Sequence, residues 1–537
     1  MNIFFAGVVI SIFIYLGIGL WAGRNIKGTD DYYVSGRNAG TLLISGTLFA
    51  SMLSASGFTG DMGFAYSGNI TNLVCLDLLA ACGYVFGPLT FGRYLRRSEC
   101  STMPEYFGKR FCDKRNRRVA GITILFSLTA YLLSCINCIG LLMQELTGLP
   151  LNACLILSWA IFTIFTFYSG SKGVIITDTV MFLIFLLATI LAGPFIFNAQ
   201  GGIGELLTNL MNNPDAPANL LDYYGNLEGV GASTPFDGIM YGITFGIIWF
   251  ITYAVSPWQA GRNMMAKSEH VTFRAGACAC IAAVLFFVYL NVEAVAVVNL
   301  YPNMEDPQKV LIWAAFNVMP AFIGTLMLTG IMAAGLSSAS TFLSVIGFSV
   351  TSDIFDLEFR DEKHKLRVSR FIMLGVGVFT LILTLLGVGG IRVVVYFAST
   401  IIAASWAIPG IGSVWSKKLS ATGARLSMIA GFVVFLFFKC MVSLDVASFS
   451  AIFKNFLDPF FMGLYASLIF AVAGSILQPA SEEEITYREQ LIRVPESERN
   501  PEDYKKDKFF AVGVIVVGIV IALVMLFGWA LPYNGMI

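Results

Sequence analysis

Apolar residues fall into blocks of about 20 or more along most of the chain, each long enough to cross roughly 30 Å of hydrocarbon as a helix. A helix satisfies its own backbone hydrogen bonds, which hydrocarbon cannot do, and no alternating strand pattern competes with it. Hydropathy therefore predicts an all-α polytopic membrane protein with about fourteen transmembrane helices. Their approximate bounds are 3–22, 41–66, 71–92, 119–147, 151–170, 173–198, 235–258, 271–300, 320–349, 368–388, 391–414, 424–442, 455–478 and 509–531.

Composition agrees with a chain surrounded by a lipid bilayer. Hydrophobic residues make up 57% of the sequence and charged residues 13%, with a mean hydropathy of +0.75, whereas a soluble domain carries roughly 25% charged residues. The formal net charge is zero and both histidines fall in predicted cytoplasmic loops, so nothing indicates nucleic-acid binding or a histidine proton relay. H-E-x-x-H and G-x-S-x-G are absent, so we predict no enzyme, and no obligatory protein partner is evident.

Basic residues are distributed unequally between the two sides of the predicted spans. Thirty of the 34 Lys and Arg residues fall on one side, and the other side holds only four. The positive-inside rule makes the rich side cytoplasmic and places both termini outside, in a multi-pass plasma-membrane protein, most simply of a bacterial inner membrane. The segment 479–508 is predicted to be a solvated cytoplasmic linker without chemistry of its own. The four outer basic residues are Lys309, Arg392, Lys439 and Lys454.

Two spans break the apolar pattern with small and hydroxyl-bearing residues. The second span is rich in Gly and Ser around Gly57 and Gly60, and Asp61 follows; such a helix is open to interruption, which frees main-chain carbonyls. The ninth span carries four hydroxyls within about one turn and a quarter, at Ser337, Ser338, Ser340 and Thr341. Carbonyls and hydroxyls of this kind form a cage suited to sodium. Close helix packing through small residues is the alternative explanation.

Carboxylates inside predicted spans are a third feature. Asp178 lies a few residues inside an otherwise apolar span, and Asp77 and Glu293 also fall within spans. An intramembrane carboxylate is a functional-site hypothesis by default, with a cation as its natural partner. Asp178 is the stronger candidate for cation binding.

Four segments occur in the order and spacing of a known family. DYYVSGR at 31–37, SASGFTG at 54–60, YSGSKGVIITD at 168–178 and AAGLSS at 333–338 resemble motifs of the sodium:solute symporter family, which includes sodium-coupled sugar, proline, pantothenate, monocarboxylate and sialic acid transporters. The resemblance implies a five-plus-five inverted-repeat core with one leading and three trailing helices. Each repeat is then expected to begin with a broken helix, at about 53–60 and about 242–249.

The resemblance also implies the division of the chain. The expected parts are a leading helix and cytoplasmic loop (1–40), a first inverted repeat (41–198), an extracellular loop (199–234), a second repeat (235–414), two trailing helices (415–478), a cytoplasmic linker (479–508) and a last helix (509–537).

Site residues follow from the same resemblance. The main sodium site implied uses the carbonyls of Ala50, Leu53 and Ala334 with the hydroxyls of Ser337 and Ser338. A second sodium, held in some members of the family, corresponds to Asp178, Ser337, Ser340 and Thr341, so one or two sodium ions are expected. Arg262 is expected to be a gate or loop anchor. The candidates for the substrate cavity are Met52, Gly57, Phe58, Asp77, Trp249, Thr252 and Tyr253.

The function implied is sodium-coupled import of a small polar organic solute by alternating access. Sugar-transporting members place glutamine and glutamate around the cavity, where this chain has Gly57 and an apolar stretch near Leu76, so a carboxylate, amino acid or vitamin-like solute is favoured over a sugar. The alternatives are a proton-coupled or passive carrier of the same fold, with Asp178 as a protonatable group, and a membrane solute sensor.

Overall fold

The computed structural model describes residues 3–23, 34–52, 56–355, 361–387 and 390–536, without the side chains of 22, 23, 35, 56, 168–175, 362, 363 and 536. Within these ranges the chain is helical and contains no β-strand; one isolated bridge pairs Ala39 with Ala266. The longer helices are α1 (Ile3–Gly23), α2 (Thr41–Met52), α4 (Ile70–Gly87), α7 (Lys114–Thr147), α8 (Leu151–Ala199), α10 (Pro235–Val255), α11 (Glu269–Ala296), α13 (Ala321–Phe348), α14 (Glu362–Leu385), α15 (Ile391–Trp415), α16 (Ala421–Ser443), α18 (Pro459–Leu477), α19 (Glu482–Ile492) and α20 (Pro501–Met525).

Shorter elements join these helices. The short α-helices are α3 (Met62–Phe64), α5 (Arg93–Arg97), α6 (Met103–Arg110), α9 (Leu206–Asn212), α12 (Val310–Asn317), α17 (Phe449–Ile452) and α21 (Leu531–Met536). In the described ranges, five π-helical segments continue or join them: Ser56–Asp61, Ala65–Asn69, Pro88–Gly92, Ser349–Ile354 and Leu526–Ala530. Segments of this kind are often found at functional sites.

Twelve helices of the described chain are long and apolar enough to cross a membrane, and two shorter apolar helices, Thr41–Met52 and Leu151–Phe167, accompany them. Together they account for the predicted spans, because Thr41–Met52 and Gly57–Arg97 cover the second and third, while Leu151–Phe167 and Ile176–Ala199 cover the fifth and sixth. The all-helical prediction from hydropathy is confirmed.

Polar residues mark the helix ends where the sequence leaves the apolar blocks. Asp113, Thr234 and Ser268 each cap a helix by accepting a hydrogen bond from a backbone N–H of its first turn, which satisfies a donor that the helix itself cannot pair. Gly148 ends α7 in the left-handed conformation, with φ of 69°, where a side chain would be strained.

The second and third spans are separated by a kink at Gly68, whose φ is 102°. A Cβ there would lie 2.9 Å from the Cβ of Asn226, so the outer loop approaches the helix as closely as a glycine allows. Asn226 donates from its backbone to the Gly68 carbonyl at 2.9 Å, and Asn72 donates from its side chain to the Tyr224 carbonyl at 2.9 Å. The loop that precedes α10 therefore packs against the end of the second span.

The two predicted helix breaks have different outcomes. The first falls partly outside the described residues, and its described part is the π-helix Ser56–Asp61. The second prediction was wrong in position, because α10 runs uninterrupted through 242–249 to Val255. The chain leaves the helix at Ser256 and resumes as a 3-10 helix at Ala260. Pro257 explains the difference, since the residue before a proline is driven out of the α conformation.

Helix α13 is the centre of the packing. In its span Ala321–Ile354, 89% of the most apolar window is buried, against 6% for Pro501–Gly535. Helices α1, α7 and α8 all pack on α13. Polar side chains on α13 are thus shielded from lipid, which is the setting in which hydroxyls inside a membrane are tolerated.

The segment 479–508 is largely exposed, but helix α19 within it is docked against the rest of the chain through three buried side chains. Arg488 is 7% exposed and donates to the carbonyl of Val414 at 2.6 Å. Arg110, fully buried, donates to the carbonyls of Ser413 at 2.6 Å and Glu484 at 3.2 Å. The mixed charge of the sequence did not indicate this docking, because the buried charged groups donate hydrogen bonds to backbone carbonyls instead of facing water.

We expect Arg488→Gln to lower the free energy of unfolding by about 1.5–3 kcal/mol, because the change removes a charge-assisted hydrogen bond and leaves a buried carbonyl unsatisfied. Thermal unfolding of the purified protein measures this loss. Arg493→Gln, at an exposed residue that directly follows helix α19, is the matched control. Equal stability of the two variants would show that the docking contributes nothing.

Candidate cation and solute sites

Asp178 joins three helices at the centre of the molecule. Its side chain, on α8, is 1% exposed. One carboxylate oxygen accepts a hydrogen bond from Thr47 of α2 at 2.8 Å, and the other accepts one from Ser337 of α13 at 2.6 Å. The structure therefore brings Asp178 and Ser337 together as predicted, and adds Thr47, which the sequence did not indicate.

Arg262 supplies the cation of this cluster. It lies on the 3-10 helix Ala260–Met265 that follows the break at Pro257, and its side chain is buried. Its Nη2 donates to the hydroxyl of Thr341 at 2.7 Å and lies 3.4 Å from the nearer carboxylate oxygen of Asp178. The guanidinium thus occupies the space between two oxygens predicted to bind a second sodium. A buried carboxylate without a cation is unfavourable, so the position of Asp178 inside an apolar span indicated that it needs a cationic partner.

The remaining hydroxyls of α13 have different partners. Ser340 donates to the carbonyl of Ser337 at 3.0 Å, within its own helix. Ser338 is fully buried, and its hydroxyl has no hydrogen-bond partner among the described residues. Buried hydroxyls normally have a partner, so Ser338 is available for a ligand. Ala50 and Ala334 are also fully buried, on helices α2 and α13, which pack together; Leu53 lies outside the described residues.

A small cavity of about 80 Å³ adjoins the cluster on one side. Arg262 and Thr341 line one part of it and Asp353 another. Asp353 accepts hydrogen bonds at one oxygen from Thr102 at 3.0 Å and Arg117 at 2.8 Å, while its other oxygen has no partner among the described residues. Arg262, Thr341 and Asp353 therefore face a cavity whose lining is otherwise largely apolar.

The predicted substrate-cavity residues do not all line one cavity. Trp249 lines a second cavity of about 370 Å³, which also contains Arg392. Tyr253 stacks on Tyr84, with ring centroids 4.8 Å apart, and Phe58 packs edge-on between two phenylalanines.

The other candidates lie in packed surroundings. Asp77 accepts a hydrogen bond from Asn291 at 3.0 Å, and the Thr252 hydroxyl donates to the Ile248 carbonyl at 2.8 Å. Met52 is 6% exposed and Gly57 is buried. Met52, Gly57, Phe58, Asp77, Thr252 and Tyr253 do not line the larger cavity, whereas Trp249 does.

The helices and the buried polar cluster define a class of protein, the polytopic membrane transporter, and the comparisons with known proteins specify it further. The chain belongs to the sodium:solute symporter family, whose match covers residues 32–431. A sodium/proline symporter of Staphylococcus aureus (strain JH9) is 26% identical over 385 residues, covering 68% of this chain and 71% of the relative. The protein is accordingly a transporter and not an enzyme.

Solved structures share the fold. A substrate-bound, outward-open Na⁺-coupled sialic acid symporter superposes with a TM-score of 0.72 at 20% identity, covering 90% of this chain and 99% of the other. A nucleobase-cation-symport-1 family transporter in a closed conformation has a TM-score of 0.55 at 13% identity, covering 86% and 98%. The fold is therefore the five-plus-five inverted-repeat transporter core with one leading and three trailing helices, while the predicted residue boundaries of the two repeats stay predictions.

Proposed function

We propose that this protein imports a small polar organic solute together with sodium, by alternating access across a bacterial inner membrane, with both termini outside. The observation that carries the proposal is the buried cluster of Asp178, Thr47 and hydroxyls of α13, joining three helices in the shielded centre of the chain. A cluster of this composition suits a small hard cation. Membership of the sodium:solute symporter family supports sodium as that cation.

The main sodium site is assigned to the carbonyls of Ala50, Leu53 and Ala334 and the hydroxyls of Ser337 and Ser338. The unpartnered hydroxyl of Ser338 supports this assignment. The packing of α2 on α13 supports it as well, since the ligands come from both helices. Sodium held between them would link the first repeat to the second, so that sodium binding favours one arrangement of the two.

The second sodium site is assigned to Asp178, Ser337, Ser340 and Thr341. Arg262 contacts Thr341 and Asp178 directly, so a sodium ion bound to these oxygens must displace the guanidinium. One buried carboxylate neutralises one cation at a time. Sodium and Arg262 are therefore competitors, and Arg262 reoccupies the site after sodium leaves.

We expect Ser340→Ala to lower the Hill coefficient for sodium from about 2 to about 1 and to lower the net charge moved per solute by one, because the second ion loses a ligand. Uptake at varied sodium concentration and the transport current measure the two quantities. Ser399→Ala is the matched control, since Ser399 is also fully buried and donates to a carbonyl of its own helix at 2.9 Å. An unchanged Hill coefficient in Ser340→Ala would contradict a second ion.

The solute is proposed to be a carboxylate, amino acid or vitamin-like compound. Relatives named sodium/proline symporters support an amino acid, and a structural neighbour that transports sialic acid supports a carboxylate. Inward movement is driven by the sodium gradient and by the membrane potential, which supplies about 2.3 kcal/mol per charge per 100 mV. Because coupling is reciprocal, solute must raise the affinity for sodium by the same factor as sodium raises the affinity for solute.

Uptake into proteoliposomes tests this proposal. Labelled carboxylates, amino acids, sugars and vitamins are each supplied with an inward sodium gradient, with potassium in its place, and with an inward proton gradient. Sodium-driven accumulation of one compound is the expected result. Accumulation that follows the proton gradient, or equilibration indifferent to both ions, would replace the symporter by a proton-coupled or passive carrier.

A further inference from the structure

The cavity of about 370 Å³ that Trp249 lines is lined by both cations and carboxylates. It lies among α3, α10, α15 and α16, and Gly229 of the outer loop also lines it. Its volume falls within the roughly 300–1,000 Å³ of typical small-molecule pockets. The charged side chains that line it are Asp61, Arg392, Lys439 and Asp458, and both basic residues belong to the four on the predicted outer side.

Arg392 is held in a fixed orientation beside this cavity. Its guanidinium lies 3.7 Å from the ring centroid of Phe64, and Nη1 donates to the hydroxyl of Tyr241 at 2.6 Å. Nε lies 3.4 Å from Asp61, a long contact, and the side chain remains 24% exposed. Nη2 makes no hydrogen bond within the described part of the chain. A guanidinium oriented in this way retains donors for a planar anion.

Lys439 provides a second cation without a close anionic partner. Its amine lies 5.4 Å from the ring centroid of Tyr396, and among the described residues it forms no ion pair. The nearby carboxylate, Asp458, instead accepts hydrogen bonds from Tyr396 at 2.6 Å and from the backbone of Phe460 at 2.8 Å. Of the four charged groups that line the cavity, Lys439 is thus the one that forms neither an ion pair nor a hydrogen bond within the described residues.

One wall of the cavity is aromatic. Tyr241 stacks on Phe245 with centroids 4.2 Å apart, and Phe245 stacks on Tyr396 at 4.6 Å. Trp249 extends the wall. A surface of this kind suits the apolar body of a small solute, while the cations suit its acidic end.

We propose that this cavity is a carboxylate-binding site on the outer side, in which Arg392 binds the carboxylate of the incoming solute and Lys439 adds a second positive charge. The ligand class is a small organic carboxylate with a compact apolar body, amino acids included. The inference rests on the proposed function, because a cavity on the outer side meets the incoming solute only if the protein imports it. It adds Arg392, Lys439, Tyr241 and Phe245 to the residues that recognise the solute.

Equilibrium binding without any ion gradient tests the inference. Purified protein is titrated with proline, lactate, pantothenate and benzoate, and with the carboxamide of each, while tryptophan fluorescence and thermal stability are recorded. At least one carboxylate is expected to bind with its carboxamide at least tenfold weaker. Arg392→Gln is expected to weaken that binding by roughly ten- to a hundredfold, because a charge-assisted pair is lost, and Arg392→Lys by less.

Two controls separate recognition from structural support. Arg425→Gln removes an arginine of similar exposure that pairs with Asp113 at 2.5 Å, and it is expected to bind carboxylates as the unmodified protein does. The double variant Asp61→Asn/Arg392→Gln removes both members of the ion pair. If that variant bound the carboxylate normally, Arg392 would act only by neutralising Asp61, and the inference would be overturned.

The remaining outcomes distinguish the inference from the proposed function. Binding of no carboxylate, or equal binding of acid and amide, would overturn the inference even if sodium-driven uptake of a neutral solute were found. Binding that depends on Arg392, together with uptake indifferent to sodium, would support the inference and refute sodium coupling.

Discussion

Replacing Asp178 with asparagine is expected to lower the free energy of unfolding by about 3–5 kcal/mol and to abolish coupled uptake, because the change leaves the Arg262 guanidinium buried without its carboxylate. Both side chains are at most 5% exposed, so water cannot replace the lost partner. Thermal unfolding in detergent measures the first effect and sodium-driven uptake the second. Glu293→Gln, which changes another fully buried carboxylate on a separate helix, is the control.

Variants of Arg262 separate the structural role of the pair from its role in sodium binding. The neutral double variant Asp178→Asn/Arg262→Gln should regain most of the stability but not the coupling. Arg262→Gln alone leaves Asp178 without its internal cation, so added sodium should stabilise that variant by more than it stabilises the unmodified protein; saturation at 100 times Kd corresponds to about 2.7 kcal/mol. Equal stabilisation of both proteins by sodium would show that ion and guanidinium do not compete.

Ser338→Ala is expected to raise the sodium concentration for half-maximal uptake by about tenfold or more while leaving stability nearly unchanged. The Ser338 hydroxyl has no partner among the described residues, so its removal breaks no hydrogen bond within them and costs little in folding. A sodium ion, in contrast, loses a ligand. Sodium titration of uptake and thermal unfolding measure the two quantities.

Ser405 offers the matched control for Ser338. It is also fully buried, and its hydroxyl also lacks a partner among the described residues, but it lies on α15. Ser405→Ala should therefore leave the sodium dependence unchanged. The same shift in both variants would mean that the effect comes from packing, and the main sodium site would lose its support.

The sequence predicted the features that depend on order along the chain. Hydropathy identified the spans because each apolar block is continuous, and the polar exceptions Asp178 and Ser337 proved to be neighbours in space. Hydropathy and local motifs do not indicate which side chains of distant segments pair with each other. The contact of Arg262 with Thr341 crosses 79 positions, and nothing in either local pattern indicates which buried oxygen a distant cation will reach.

Two local features of the structure differ from those predicted from the sequence. The family resemblance implied a break at 242–249, but the structure breaks the helix where Pro257 makes the α conformation unfavourable. The charge of 479–508 suggested a solvated segment, whereas Arg488 is buried against a backbone carbonyl. Arg392 had been counted only as one of four outer cations, and the aromatic rings around it come from α3, α10 and α15.

The most direct test of sodium coupling is the flux of radioactive sodium into proteoliposomes in the presence and absence of solute, at zero membrane potential. We predict that the transported solute stimulates sodium entry at a fixed stoichiometry. At the sodium concentration that half-saturates the unmodified protein, Ser338→Ala should strongly reduce this stimulation while Ser405→Ala retains it. Sodium entry that is indifferent to solute, in a preparation that does accumulate the solute, would contradict the account.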